Sequence, residues 1–479
     1  MLSMRFRQSA QGGISTHNRK AHHTTTFFKA LSRLAYFFIA VAIISCGSSN
    51  SSSPPPPNVA ATTQQYVENF YPLWFTYNQS QYVGVNHFVG PDRVSPIYQI
   101  VVAINVDTIY ASTFASVASQ PLIVTIPSTQ VTYSALVLDA YGDIFTTKMQ
   151  SNSPGVYGLT GPGFNGTLPQ GVTQVSLPVN FVNVIIRADR FSPTGVDQTN
   201  LATQFRDSLM TQTLTDYLAN PSGGATLVVP EAFTSVGFKT DADNLIADDP
   251  VSFLEQLQVA VGSSNTPPLS KSQKQLVQSF NRIFKNGDFN TNQKSAFVKG
   301  TQDAYNAILG SYLDVTGPTK WITFDNIGNW GSDVVLRSAI TEFIQYANNH
   351  SEAAYYQTFD DSTGTPLDGN QTYVLTFPAG ETPEASRFWS LTAYTPDSIE
   401  LIDNPENTWA VASYTPGLVT NPDGSISIYM SQTLPNGVPM ANWLPVSTRP
   451  FNVMLRVYGP LGSVLDNTYV PPAVTLVQP

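Results

Sequence analysis

Val-Thr-Tyr-Ser-Ala-Leu-Val-Leu at 131–138 and Val-Asn-Phe-Val-Asn-Val-Ile-Ile-Arg at 179–187 are short runs of β-branched, aromatic and aliphatic residues, set among Pro, Gly and Asn. Such runs form strands, and their spacing from about 62 to 190 predicts antiparallel sheet. Pro-Leu-Ile-Val-Thr-Ile at 121–126 is another. From about 197 the period changes. Leu201, Phe205 and Leu209 recur at four, as do Leu276, Phe280 and Phe284 (with Ile283 beside them) and Val335, Ala339 and Phe343 with Tyr346. These are helical faces. Ser270 and Gln273 have capping-box spacing ahead of the second, and Ser332 or Asp333 can cap the third. From about 350 the strand pattern returns at 373–377, 388–394, 425–430 and 451–458, with a turn signal at Asn421-Pro422-Asp423-Gly424. The expected fold is mainly β with an α-helical middle: a β-sandwich over 62–195, helices over 196–347, a second β-sandwich over 348–479.

The 479 residues include 33 acidic and 23 basic side chains, for a net charge of −10. Six of the basic residues and no acidic ones precede Cys46, so the rest holds 17 basic against 33 acidic residues, or −16. An acidic body is a poor binder of nucleic acid, because neutralising phosphates needs clustered Lys and Arg. With one cysteine no disulfide forms within the chain. Outside the leader only His87 and His350 remain, so the usual zinc ligand sets are excluded. No cofactor is expected.

The leader reads as an address. Residues 1–33 are basic and polar, 34–44 are eleven unbroken apolar residues, and Ser45, Cys46 and Gly47 follow. That is the order of a secretory signal, and eleven residues fall short of the ~20 that span a bilayer. Ile43-Ile44-Ser45-Cys46 has the form of a bacterial lipobox, so 1–45 is expected to be a signal peptide and Cys46 the acylated residue holding the protein to the lipid bilayer of the envelope. Gly47 rather than Asp points to the outer membrane. The Ser/Pro-rich stretch over 46–61 reads as a tether.

Several motifs fail. Gly161-Pro162-Gly163-Phe164-Asn165-Gly166 matches a dinucleotide fingerprint, but Thr-Leu-Pro-Gln-Gly-Val follows it and cannot open a helix. Asp288, Asn290 and Asn292 have calcium-loop spacing, yet Gln293 and Lys299 stand where Gly and Glu are required. No G-x-S-x-G occurs.

The candidate site residues lie on the expected strands. In Asn105-Val-Asp107-Thr108-Ile-Tyr110, polar residues alternate, so Asn105 and Asp107 face one way if the segment is a strand. Tyr133, Asp139 and Tyr141 would share a second face, and Arg187 and Asp189 a third. Two carboxylates, Asp107 and Asp139, beside the cation Arg187 make a site in which proximity splits the acid pKa values. The competing reading is a structural polar network. Farther along, Trp443 is either a stacking platform for a ligand or a core residue, and Arg456 and Tyr458 share a strand face.

Asn105-x-Asp107-Thr108-x-Tyr110, Leu138-Asp139 with Tyr141, Gly161-Pro162-Gly163-x-x-Gly166, Leu168-Pro169-x-Gly171 and Arg187 together resemble the DUF1254 family. The run 328–337, Gly364 with Leu367-Asp368-Gly369, Phe388-Trp389-Ser390-Leu391-Thr392, Asn442-Trp443-Leu444-Pro445 and Arg456-x-Tyr458 resemble its partner family, DUF1214. The resemblance spans nearly all of 62–479. It implies an immunoglobulin-like sandwich, helices and a jelly-roll-like sandwich, and no settled activity. Phe114-Ala115-Ser116-Val117 stands where many members have an aspartate, which removes one carboxylate from any shared site.

Three functions are compatible with this reading. The first is binding of a small or extended ligand in a polar cleft lined by Asn105, Asp107, Tyr110, Tyr141, Asp139 and Arg187, with Trp443 and Arg456 as further contacts. The second is a carboxylate-based hydrolase or lyase at the same place, with Asp107 and Asp139 as acid and base. The third is a structural protein that assembles as a homo-oligomer.

Overall fold

Helix α1, Val59–Val83, opens the structure where β strands were expected. The computed structural model describes residues 58–478 apart from 92–94, 97, 226, 228–236, 286 and 288. The leader with Cys46, the tether to residue 57 and Asp288 lie outside the described residues. Asn58 caps α1 by accepting from Ala61 N at 3.2 Å. Tyr66, Phe70, Leu73 and Trp74 are buried at helical spacing. Pro72 sits inside this helix and lacks the N–H that the Glu68 carbonyl would accept. Ser338 Oγ donates to Glu68 O instead, at 3.0 Å, and Arg337 Nη2 donates to Asn69 O at 2.6 Å. Both donors belong to α8, Val334–Ile344, so the backbone defect in one helix is closed by the side chains of another. Helix α7, Thr291–Leu313, lies against α1 at Gly300, where a Cβ would meet Ala60 O at 2.4 Å.

The first β module has two sheets. Strands β1 (Thr108–Ser116), β6 (Phe181–Asp189) and β3 (Tyr133–Leu138) form one antiparallel sheet in that order. Strands β5 (Val172–Ser176), β4 (Gly155–Thr160), β2 (Leu122–Ile126) and β7 (Met210–Thr213) form the other. The period of two sorts β6 into two faces. Val182, Val184, Ile186 and Ala188 join Leu122, Val124 and Leu159 of the second sheet in one apolar cluster. Asn183, Ile185, Arg187 and Asp189 project to the opposite side, paired in register with Phe114, Ser112, Tyr110 and Thr108 of β1.

Helices α2 (Thr199–Asp207), α3 (Leu214–Ala219), α4 (Phe238–Asp248), α5 (Pro250–Val261) and α6 (Lys271–Ile283) follow, then α7 and α8. The expected capping box at Ser270 and Gln273 is present, and Asp333 caps α8. The last module again has two sheets. One is β11 (Ala410–Ala412), β10 (Ala385–Tyr394), β14 (Asn452–Pro460) and β8 (Ala353–Thr358), and the other is β13 (Trp443–Pro445), β12 (Ile426–Ser431), β9 (Tyr373–Phe377) and β15 (Thr475–Leu476). The expected strands of this region all appear, within two residues at each end except at 388, where β10 begins three residues earlier.

The helices do more than connect. One large cluster takes Tyr66, Phe70 and Trp74 from α1, Phe253, Phe280, Ile308 and Phe343 from later helices, Phe114 and Phe181 from the first β module, and Phe388, Met454 and Tyr458 from the last. The far face of each module, the one turned away from its own two-sheet core, is thereby built into a common centre. Among the described residues no helix is long and apolar enough to cross a membrane.

Candidate functional site

The two polar half-sites expected from separate ends of the sequence meet at that centre. Asn105 is the hub. Its Oδ1 accepts from Asp107 N at 2.9 Å, Thr108 N at 3.1 Å and Thr108 Oγ1 at 3.1 Å. This is an asparagine turn leading into β1, so Asn105 and Asp107 precede the strand and do not share a strand face as expected. Three donors on Oδ1 settle the amide orientation. Nδ2 then donates to Tyr110 Oη at 2.5 Å and to Tyr458 Oη at 2.7 Å, across 353 positions of chain.

Arg187 and Arg456 flank this hub. Arg187 donates to Asn348 Oδ1 at 3.0 Å and Tyr346 O at 2.7 Å, and its guanidinium lies 5.3 Å from the Tyr110 ring centroid. Arg456 donates from Nη2 to Ala103 O, lies 5.4 Å from the Tyr394 ring centroid, and has no hydrogen-bond partner for Nη1. Their side chains belong to residues 5 % and 2 % exposed. Among the described residues neither has a carboxylate at salt-bridge distance.

Two chambers share the wall formed by Val101, Ile104, Tyr110, Arg187 and Tyr346. The larger has about 50 Å³ of room for water centres and is mainly apolar, with Val83, Ile100, Phe114 and Ile185 around it and Asn183 and Gln79 as polar points. The smaller, about 30 Å³, is polar and holds Asn105, Tyr355, Arg456 and Tyr458. Both exceed what one water needs. Val83, Tyr98, Val101 and Tyr110, on the wall of the larger chamber, are only half-buried. Ala103 and Tyr346 on the smaller chamber, and Ile399 whose carbonyl accepts from Ala103 N at 3.1 Å, all have positive φ (54°, 58° and 52°). Non-glycine residues avoid this region, and such strain gathers at sites over-determined by their surroundings.

Asp107 is fully buried and lines neither chamber. Its carboxylate accepts from Ser390 Oγ at 2.8 Å and from Tyr414 Oη. Burial raises its pKa, and the two hydroxyls and the field of Arg456 offset part of the rise. Asp189 forms a forked pair with Arg387 of β10, with Nε to Oδ2 at 2.9 Å. Burial of the Tyr458 and Tyr414 hydroxyls holds both pKa values well above the phenol range, so both keep their protons.

Asp139 stands apart from Asp107. Strand β3 ends at Leu138, and Asp139 turns the chain by accepting from Tyr141 N at 2.8 Å and Asp143 N at 3.0 Å. It therefore does not share a strand face with Tyr133, which packs in the core between the first two sheets. Burial, then the charge of Asp143, pushes its pKa up to about 7. Tyr141 lies under the Arg337 guanidinium, 4.0 Å from ring centroid to Cζ. Trp443 does not reach the chambers: it is buried in the other sheet of the last module and donates to Ser431 O at 3.1 Å. Of the candidates, then, Asn105, Tyr110, Arg187 and Arg456 come together, while Asp107 lies behind them and Asp139, Tyr141 and Trp443 lie elsewhere. Asn348 and Tyr355 escaped the sequence reading, and Tyr346, expected on the helical face of Val335, Ala339 and Phe343, lies beyond the end of α8 at Ile344. Tyr355 sits in a strand whose neighbours alternate in direction; Asn348 follows α8 in an irregular turn with no period to mark it. No cluster of three or more His, Cys, Asp or Glu that can hold a metal occurs among the described residues.

Residues 85–212 match the family model described as protein of unknown function DUF1254, and 352–462 match DUF1214. The chain is a DUF1254–DUF1214 protein. The DUF1254 match covers the first β module and the DUF1214 match most of the last, so the hub joins Asn105 of one to Tyr458 of the other. The VPA0106 protein of Vibrio parahaemolyticus, known from a crystal structure, has a similar fold at TM-score 0.57 and 20% identity, over 88% of this chain and 100% of its own. A protein from Burkholderia cenocepacia aligns at TM-score 0.44 and 11% identity over 88% of this chain and 94% of its own. No curated protein matches the chain.

Proposed function

We propose that this DUF1254–DUF1214 protein binds a small ligand in the paired chambers between its two β modules. The observation that carries the reading is the convergence of Asn105, Tyr110 and Arg187 from one module with Arg456 and Tyr458 from the other around an enclosed space with an apolar end and a polar end. Ligand sites are typically mainly apolar concavities with a few convergent polar groups. The hydrolase or lyase reading is the weaker one, because Asp107 faces away from the chambers and Asp139 sits in a different turn. In this reading each module is a two-sheet sandwich, immunoglobulin-like in the first and jelly-roll-like in the last, supported by the apolar cluster that each pair of sheets shares. The leader attaches the protein to the outer membrane of the bacterial envelope through acylated Cys46.

Thermal-shift screening of small molecules against the full-length chain tests the binding reading, since a ligand of the native state raises the melting temperature. Val83→Trp fills the apolar chamber from its half-buried rim. The expected result is a saturable shift that Val83→Trp abolishes without lowering its own melting temperature. A shift that survives Val83→Trp places the ligand elsewhere and overturns the reading. Palmitate labelling in cells that disappears in Cys46→Ser supports the anchor; an unlabelled wild type removes it.

A further inference from the structure

We propose that the ligand is an organic anion, a carboxylate on a short apolar body, with its head in the polar chamber and its body in the apolar one. This rests on the binding reading above and adds the chemical class. It follows from accounting for hydrogen bonds around the polar chamber.

Several acceptors there are used and several donors are not. Tyr346 O takes Arg187, Ala103 O takes Arg456, and Ile104 O takes Tyr394 Oη at 2.7 Å. Asn105 Oδ1 already has three donors. Three phenols act as acceptors: Tyr110 and Tyr458 from Asn105 Nδ2, and Tyr355 from Asn348 N at 2.9 Å and Nδ2 at 3.2 Å. The Asn348 orientation is settled because its Oδ1 takes Arg187. Each phenol therefore retains an O–H whose acceptor is absent among the described residues. Arg456 Nη1 is a fourth unspent donor. All four belong to side chains lining the one chamber.

Charge points the same way. Two guanidinium groups border the chamber without an ion pair, and the nearby carboxylate of Asp107 is turned to Ser390 and Tyr414. A buried cation lacking a counterion is strongly unfavourable, and a guanidinium does not relieve that by losing its proton. A carboxylate supplies two oxygens with about four lone-pair sites, the number of unspent donors, together with the missing negative charge. The adjoining chamber, walled by Val83, Ile100, Phe114 and Ile185, suits a short aliphatic or aromatic body. A neutral polar ligand would leave the charge unanswered. An inorganic anion would leave the apolar chamber unfilled.

The test uses hexanoate, hexanol, hexanamide and inorganic phosphate as probes, by calorimetry on the full-length chain at constant ionic strength. Hexanoate is expected to bind at least about tenfold more tightly than hexanol or hexanamide, the size of one charge-assisted contact. Arg456→Lys keeps the charge but removes the Nη1 donor, and is expected to weaken hexanoate by about tenfold and hexanol by a smaller factor. Equal binding of hexanol and hexanoate overturns the anion assignment and leaves the cavity reading standing. Phosphate binding as tightly as hexanoate overturns the apolar-body assignment. No binding by any of the four overturns both readings. If Arg456→Lys does not fold, the wild-type series decides alone.

Discussion

The forked pair between Asp189 of β6 and Arg387 of β10 allows a test of how the two β modules are clamped. Its side chains are 2% and 10% exposed. Asp189→Asn leaves a buried guanidinium facing a neutral amide, and Arg387→Met leaves a buried carboxylate. Removing one partner of a buried pair costs about 3–5 kcal/mol, so both variants should be destabilised by that amount at pH 8. They should then part company. A guanidinium keeps its proton at any accessible pH, so the stability of Asp189→Asn itself carries no pH dependence from this pair. Asp189 can take one. Burial already raises its pKa in the wild type, against the pull of Arg387, and losing Arg387 raises it further. A carboxyl whose folded pKa exceeds its unfolded value of about 3.9 binds protons more tightly when folded, so its penalty grows as pH rises through that window and vanishes below it. Arg387→Met should therefore recover about 1.4 kcal/mol per pH unit as pH falls below the raised Asp189 value. Arg387 also lies 5.3 Å from the Tyr458 ring centroid, so the recovery should remain incomplete by about 0.5–1 kcal/mol. Urea unfolding of the two single variants and the double variant, at pH 5 and pH 8, measures all of this. Identical pH profiles for the single variants, or a coupling energy under about 0.5 kcal/mol at pH 8, would refute the reasoning.

Asp139 gives a second pH signature: with a folded pKa of about 7 against about 3.9 unfolded, stability should fall by up to about 4 kcal/mol as pH rises from 4 to 7, and Asp139→Asn should flatten that slope in denaturant titrations. Asn105→Ala strips the hub of its amide and should destabilise by about 3–5 kcal/mol, since it strands the Asp107 and Thr108 N–H groups in the interior; a melting temperature near that of the wild type would contradict the hub assignment. Ala103→Gly relieves a φ of 54° and should stabilise by about 0.5–1 kcal/mol, a gain that calorimetric melting would detect and whose reversal would show that the backbone there is unstrained.

Local chemistry made much of this architecture readable in advance. The capping box at Ser270 and Gln273 and the two-faced alternation of β6 depend on neighbours in sequence, and both appear as expected. Helix α1 escaped because Tyr, Phe, Trp and Thr favour strands and Pro72 disfavours helix. Its stability comes from elsewhere: Ser338 and Arg337, some 270 residues away, complete its backbone hydrogen bonds, and Phe280 stacks on Tyr66 at 3.8 Å between centroids. The site was legible as parts. Asn105, Tyr110, Arg187 and Arg456 stood out as polar residues in apolar strands, but which parts would meet depends on how one sheet's far face docks on another. Asp139 misled because its strand ends at Leu138, three residues short of Tyr141, to which the alternation carried it.

The bond from Asn105 to Tyr458 has a consequence for inheritance. Each half of this molecule owns an incomplete bowl, closed only by its counterpart, so a gene split that parted them would yield two open pieces and no cavity. Any lineage that keeps the cavity has to pass both on together.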